Sequence, residues 1–488
     1  MFRRPTKKQL LIRRIITYVV MILAVVVIVA GTVLFILGYR LDSGKGRIEQ
    51  GALVQFDSKP NGADVAIDGK TINANTPSKQ TVVAGQHLFS MNKTGYDSWS
   101  KMLNVKAGTL EWLDYILLVP TNLPIESMAS YSSVYGEKAS PDNKWLIVQE
   151  KADTPTFQLV DLRSQQIQST TMILPTTLYS APTTAGVTHT FTIESWDKDG
   201  RYVIVKHTFN EKSEYLVLDT QNIAKSVNVS TLLSISLSEL KFSGTSGNVL
   251  YGLTDGVVRK LDLSNATISR GLVSNVKDFH LFDNTIVTYT GTDPTNPAYQ
   301  VAGIYREGDE LSHVLRIVND LTTPLSIAFT RYHNDNFVAV TEGLKVSVLK
   351  GSYPASTDIA NSSLRLYTAF KTTANVDALT FSENGDHLVV QSGLNFTSYE
   401  VEYMRQTEAA ITTSETIAHT LKWLDDAYLW AVYDGHLSIR EFDGKNTHVI
   451  MTMEPGFDAT LSPNNKYLYG IAKTGTTYQL QRVTMILD

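Results

Sequence analysis

A short unit recurs along residues 125–488 of this 488-residue chain: a polar turn rich in Asp, Asn, Gly and Ser, an apolar strand, a second turn and another strand. It opens at Ser140-Pro141-Asp142-Asn143-Lys144 before WLIV and at Trp196-Asp197-Lys198-Asp199-Gly200 before RYVIV. Further copies start at Phe242-Ser243-Gly244, weakly at Leu281-Phe282-Asp283-Asn284, and at Tyr332-His333-Asn334-Asp335-Asn336. The last three start at Phe381-Ser382-Glu383-Asn384-Gly385, Trp423-Leu424-Asp425-Asp426 and Leu461-Ser462-Pro463-Asn464-Asn465-Lys466. The mean step between residues 140 and 461 is about 46 residues, the length of one four-stranded sheet in a repeat architecture. Closing such sheets into a ring covers their edge strands, and the segment 125–135 is placed to complete the last sheet.

These copies resemble the blades of WD40-like and TolB-like β-propellers, which carry S-P-D-G-K before an apolar strand. Residues 140–144 and 462–466 match that pattern best, while the Gly-His and Trp-Asp signatures of true WD40 blades are not in register. The resemblance implies a propeller over 125–488. Eight copies favour eight blades; seven remain if the weak fourth copy belongs to an insertion.

The other end of the chain is of a different kind. Residues 15–38, IITYVVMILAVVVIVAGTVLFILG, hold no charge. As a helix rising about 1.5 Å per residue, they span the roughly 30 Å core of a bilayer. Arg3, Arg4, Lys7, Lys8, Arg13 and Arg14 precede them, with no acid among residues 1–14. The apolar run is longer than a signal peptide's, and Ala30 has Ile28 where a cleavage site needs a small residue. The expectation is an uncleaved single-pass anchor in the lipid bilayer through residues 15–38. The basic tail, 1–14, is then cytoplasmic and the body extracytoplasmic by the positive-inside bias. Residues 39–50 read as a polar stalk.

Residues 51–119 alternate short strands with turns. Val54 and Phe56 precede Pro60-Asn61-Gly62; Val65 and Ile67 precede the hairpin signal Asp68-Gly69. Thr76-Pro77, Gly85-x-His87 and Lys93-x-Gly95-Tyr96 follow in order. This stretch resembles the PEGA domain, a small β-sandwich of bacterial and archaeal surface and envelope proteins. Pro60-Asn61-Gly62-Ala63 stands at its name motif, and Asn75 departs from the usual small residue before Thr-Pro. The resemblance implies an accessory domain without catalysis. His87 reads as structural and Asp68 as a turn former. Residues 110–124 read as a terminal strand and a linker bracketed by Pro120 and Pro124.

The fold class expected is therefore mainly β: a transmembrane helix, a PEGA-like sandwich and a C-terminal propeller. The chain contains no cysteine, so disulfides, thiolate metal sites and cysteine nucleophiles are excluded. Without the six N-terminal cations, 37 of the 43 Lys and Arg remain against 48 Asp and Glu, a net charge of −11 that disfavours nucleic acid. Phosphate-binding glycine loops, H-E-x-x-H and a G-x-S-x-G elbow are missing. Asp197-x-Asp199-Gly200 reads as a turn rather than a calcium loop. His419, His436 and His448 are not at ligand spacing. Trp423 and Trp430 read as blade packing. No catalytic, metal or cofactor-binding residue is assigned. The function expected is a membrane-anchored binding or scaffold protein of the bacterial cell envelope, not an enzyme, with a protein or cell-envelope partner at the propeller loops. The aperiodic stretches 164–190 and 291–300 are the first candidates for that contact. The alternative is an extracytoplasmic enzyme acting on an envelope glycan or peptide through acids at the central channel.

Overall fold

A computed structural model describes residues 7–36, 39–42, 47–181, 186–244, 246–351 and 363–487, in two compact units, Met1–Asn122 and Leu123–Asp488.

The first unit opens with helix α1 (Lys7–Ile36), which starts within the basic tail. Its stretch Leu11–Leu34 has a mean hydropathy of 2.7 and buries nothing against the protein. Among the described residues it is the one helix long and apolar enough to cross a bilayer. Its two threonine hydroxyls are satisfied internally: Thr17 donates to the Arg13 carbonyl and Thr32 to that of Ile28. That is the condition for a polar group in hydrocarbon. Gly38, the end of the apolar run, lies outside the described residues.

Where a stalk is expected, strand β1 (Tyr39–Asp42) pairs with β2 (Arg47–Lys59). β2 also pairs with β5 (Ser78–Val83) and β8 (Leu110–Leu117). A second sheet runs β4 (Lys70–Asn75), β3 (Asp64–Ile67), β6 (Gly85–Asn92), β7 (Trp99–Val105). Their inner faces supply one core of Val54, Phe56, Val65, Phe89, Met91 and Trp99. β2 and β8 run parallel, so the sandwich is not wholly antiparallel. Alternation of side chains reports a strand but not its direction. Burying the Phe89 ring, which is 0% exposed, stabilises by roughly 2–3 kcal/mol.

In the second unit the described residues form eight four-stranded antiparallel sheets, numbered here in chain order. Their first strands are Gly136–Ala139, His189–Trp196, Glu239–Phe242, Val276–Phe282, Leu325–Tyr332, Ala378–Phe381, Lys422–Trp423 and Thr460–Leu461. Each sequence copy marks the turn between a first and a second strand. The weak copy at 281 belongs to a full sheet, Val276–Phe282 to His313–Val318. The eighth sheet takes its outer strand from the front of the unit: β9 (Ile125–Tyr131) pairs with Thr477–Thr484.

Neighbouring first turns touch around the ring. Asp142 packs on Gly200, where a Cβ would meet its Oδ1 at 2.6 Å. The Lys198 N–H donates to the Gly244 carbonyl (3.1 Å), and Gly244 faces Asn284. Arg331 lies 3.7 Å from Asp283, and Gly385 lies against Thr330 and Arg331. The Asn384 N–H donates to Asp426 (2.8 Å), and Lys422 pairs with Asp458. Thr460 Oγ1 then donates to Asn143 (3.0 Å), so the eighth sheet touches the first. Sheets arranged in this way make a β-propeller.

Within the stretch 164–190 the described residues hold one strand and the start of another, while 174–181 and 186–188 carry none. Gln168–Ile173 is the outer strand of the first sheet, and Leu174 and Leu178 are buried. Of that strand's six residues only Met172 is buried, so it carries no apolar alternation, which hides it in the sequence. Residues 293–299 form a turn between two strands, held by Asp293, which accepts from Thr295 and Asn296.

Candidate functional site

The first turns owe their shape to a local hydrogen-bond module. Ser140 Oγ donates to Asp142 (2.6 Å) and accepts from the Trp145 N–H (3.0 Å), while Asn143 takes φ +59°. Ser462, Asn464, Tyr467 and Asn465 (φ +56°) repeat it in the eighth sheet. Ser382, Asn384 and His387 repeat it in the sixth, with Gly385 at φ +81°. A short polar side chain or none suits that left-handed position, which explains the Asx/Gly bias of the repeat. Asp197 does related work: its buried carboxyl accepts from the N–H groups of Arg201 (2.8 Å) and Tyr202 (2.7 Å). It is a turn former.

The turns surround the mouth of a central cavity of about 1300 Å³. First strands of sheets 2 to 7 line it, with Trp196, Phe242, Phe282, Phe329, Phe381 and Trp423 as aromatic wall. Charge in the wall is largely paired: Lys241 with Glu239 (2.9 Å) and His280 with Asp278 (3.0 Å). The His280 hydrogen bond holds the Asp278 carboxyl below its usual range. Across the mouth, Lys198 of sheet 2 lies 4.0 Å from Glu383 of sheet 6, four sheets further round the ring.

A second cavity of about 470 Å³ opens beside the mouth, where sheets 6, 7, 8 and 1 meet. Glu383, Asp425, Asp426 and Asp458 supply four carboxylates against one cation, Lys422. Lys422 pairs with Asp458, and its Nζ stands 5.0 Å from the centre of the Trp430 ring. Trp423, which lines both cavities, has no acceptor for its indole N–H among the described residues. Behind this wall the Asp458 N–H donates to Glu137, and burial, helped by the Asp458 charge, pushes Glu137 up to about 8.

Elsewhere, His207 is fully buried between Phe191 (4.4 Å) and Phe209 (4.9 Å). Its Nδ1 bonds Glu214 (2.8 Å), and its Nε2 lies 2.9 Å from Nδ1 of His189. Ser180 and Asn228 also donate to Glu214. No spacing signal marks this group, since Ser180 reaches it from the loop that follows Gln168–Ile173. His419 bonds Glu415 (2.7 Å), and His436 Nδ1 lies 2.7 Å from the Asp434 carbonyl. His448 sits on a separate outer strand. Among the described residues no three His, Asp or Glu are placed to hold a metal. In the first unit both ring nitrogens of His87 face acceptors, Asp68 (2.6 Å) and the Val83 carbonyl (2.8 Å). Asp68 also accepts from the Leu88 N–H. That pair ties a hairpin to the next strand.

The first unit carries a recognisable fold signature: Thr76, buried, bonds Ser58 (2.6 Å) and the Ala63 N–H (3.0 Å), tying the Thr-Pro and Asn-Gly-Ala motifs together. Residues 52–119 match the PEGA domain. The matched span includes β8. No curated protein matches the chain. Among solved structures, Hsv2 from Kluyveromyces lactis is similar at 12% identity, over 72% of this chain and 98% of that one, with a TM-score of 0.38. The Cps50 (Swd1) β-propeller domain of Myceliophteria thermophila is similar at 12% identity, over 74% and 99%, with a TM-score of 0.36. The assignment of a propeller rests on the strand order and ring contacts above.

Proposed function

We propose that this chain is a membrane-anchored binding protein of the cell envelope, whose propeller recognises a protein or surface partner at the mouth of its ring outside the cytoplasm. One observation carries the reading: turns from successive sheets, each fixed by its own hydrogen bonds, present different side chains around a single cavity. A rigid scaffold with variable loops is suited to recognition. The apolar α1 with its cationic flank supports an anchor whose body lies outside. The enzymatic alternative has weaker support, because the carboxyls pushed upward, Glu137 and Asp197, are buried and engaged with backbone amides rather than among the cavity's lining residues.

A photo-crosslinking amino acid placed in the full chain tests this in intact cells. At Lys198, on the mouth, it should yield a discrete adduct. At Asn210, in the turn at the opposite end of the same sheet, it should not. Equal adducts at both positions, or none at Lys198, refute the reading. Because the chain lacks cysteine, Lys7→Cys and Asn210→Cys variants also report topology. A membrane-impermeant maleimide should label only the second.

A further inference from the structure

We propose that the cavity where sheets 6, 7, 8 and 1 meet binds the cationic side chain of a polypeptide partner, an ammonium or guanidinium group. This rests on the reading that the ring mouth is the recognition surface, and adds the chemistry that surface selects. The cavity is large enough for such a side chain, at about 470 Å³, and continuous with the mouth through Pro141, Glu383, Lys422 and Trp423, which line both spaces. Its wall combines four carboxylates with two indoles. A cation is attracted both to a carboxylate and to the face of an aromatic ring.

The protein already uses that chemistry on a cation of its own. Lys422, 47% exposed, is held by Asp458 and by the Trp430 ring inside the cavity. At the rim, Lys198 reaches Glu383 across the ring, with both side chains mostly exposed. An ion pair so exposed is held by little free energy. An incoming arginine or lysine can therefore exchange with Lys198 at the rim. Lys422 and Lys198 are stand-ins that mark where a ligand cation sits. The acidic body favours approach of the same class of partner.

The full chain in detergent micelles, titrated calorimetrically with a short peptide carrying two arginines, tests the proposal. The peptide should bind saturably and weaken as salt rises, while its citrulline counterpart should not bind. Glu383→Gln with Asp426→Asn should weaken binding about tenfold, since two attractive charges are removed while the amide introduced by Asp426→Asn keeps an acceptor for the Asn384 N–H. Lys422→Met should act the other way, tightening binding several-fold by vacating Asp458 and Trp430. That opposite sign separates the proposal from simple loss of fold. Spermidine distinguishes a free polyamine from a polypeptide: if it binds as tightly as the peptide, the polypeptide assignment is overturned. Equal binding of the citrulline peptide, no effect of the double variant, or weaker binding by Lys422→Met also overturns it. If the arginine peptide fails while Lys198 still crosslinks in cells, the cation specificity falls and recognition at the mouth survives.

Discussion

Glu214 accepts a 2.8 Å hydrogen bond from His207, whose ring lies fully buried between two phenylalanines. Burial alone would raise the Glu214 carboxyl, but the bonds from His207, Asn228 and Ser180 outweigh it and hold the group at about 2, against the usual 4.5. A depressed carboxyl contributes stability that is complete above its unfolded pKa and lost as pH falls toward its folded one. The window is therefore pH 4.5 down to about 2, and the contribution roughly 3 kcal/mol. Urea midpoints measured from pH 6 to 2 should show Glu214→Gln well below the parent at pH 6 and converging on it near pH 2. Parallel curves would contradict this.

The seam between sheets 8 and 1 should respond in the opposite sense. Glu137, raised to about 8 by burial and by Asp458, favours the folded state most below 4.5 and loses that contribution as pH climbs through about 8. Glu137→Gln keeps an acceptor for the Asp458 N–H and carries no charge. The melting temperature of the parent should fall between pH 6 and 9 by more than that of the variant. A variant that falls as steeply would show that Glu137 is not the group responsible.

The two units should melt separately. Phe89 is fully buried 5.8 Å from Phe56 in the PEGA domain. Phe89→Ala should cost that domain about 3–5 kcal/mol, by lost burial and the cavity left behind. Calorimetry of the full chain should show one transition lowered and the propeller transition unmoved. A common shift of the whole profile would mean that the units unfold as one.

What the sequence disclosed was what is local. Ser140, Asp142 and Asn143 form a turn from neighbours in the chain, so their pattern is visible wherever it recurs. The Asp68-Gly69 hairpin and α1 are legible for the same reason. The outer strands are not: Gln168–Ile173 is mostly exposed and polar, and its identity as a strand depends on the hydrogen bonds of its neighbour. The parallel pairing of β2 with β8 and the approach of Lys198 to Glu383 are likewise products of closure, which places distant residues side by side. The cavity beside Trp430 belongs to that class. Trp430 reads correctly as packing, being buried, yet its remaining face is where Lys422 rests. Periodicity locates the residue but not which side of it stays open.

The pairing of β9 with Thr477–Thr484 imposes an order on biosynthesis. A ribosome delivers β9 hundreds of residues before its partner strand. Until then the ring is an open arc with an unpaired strand at each end, the kind of edge that invites pairing with another chain. Long-range closure of this sort is slow, because the intervening chain must be ordered before the contact rewards it. The interval between emergence of β9 and arrival of Thr477–Thr484 is when a chaperone holding the free strand would have most effect.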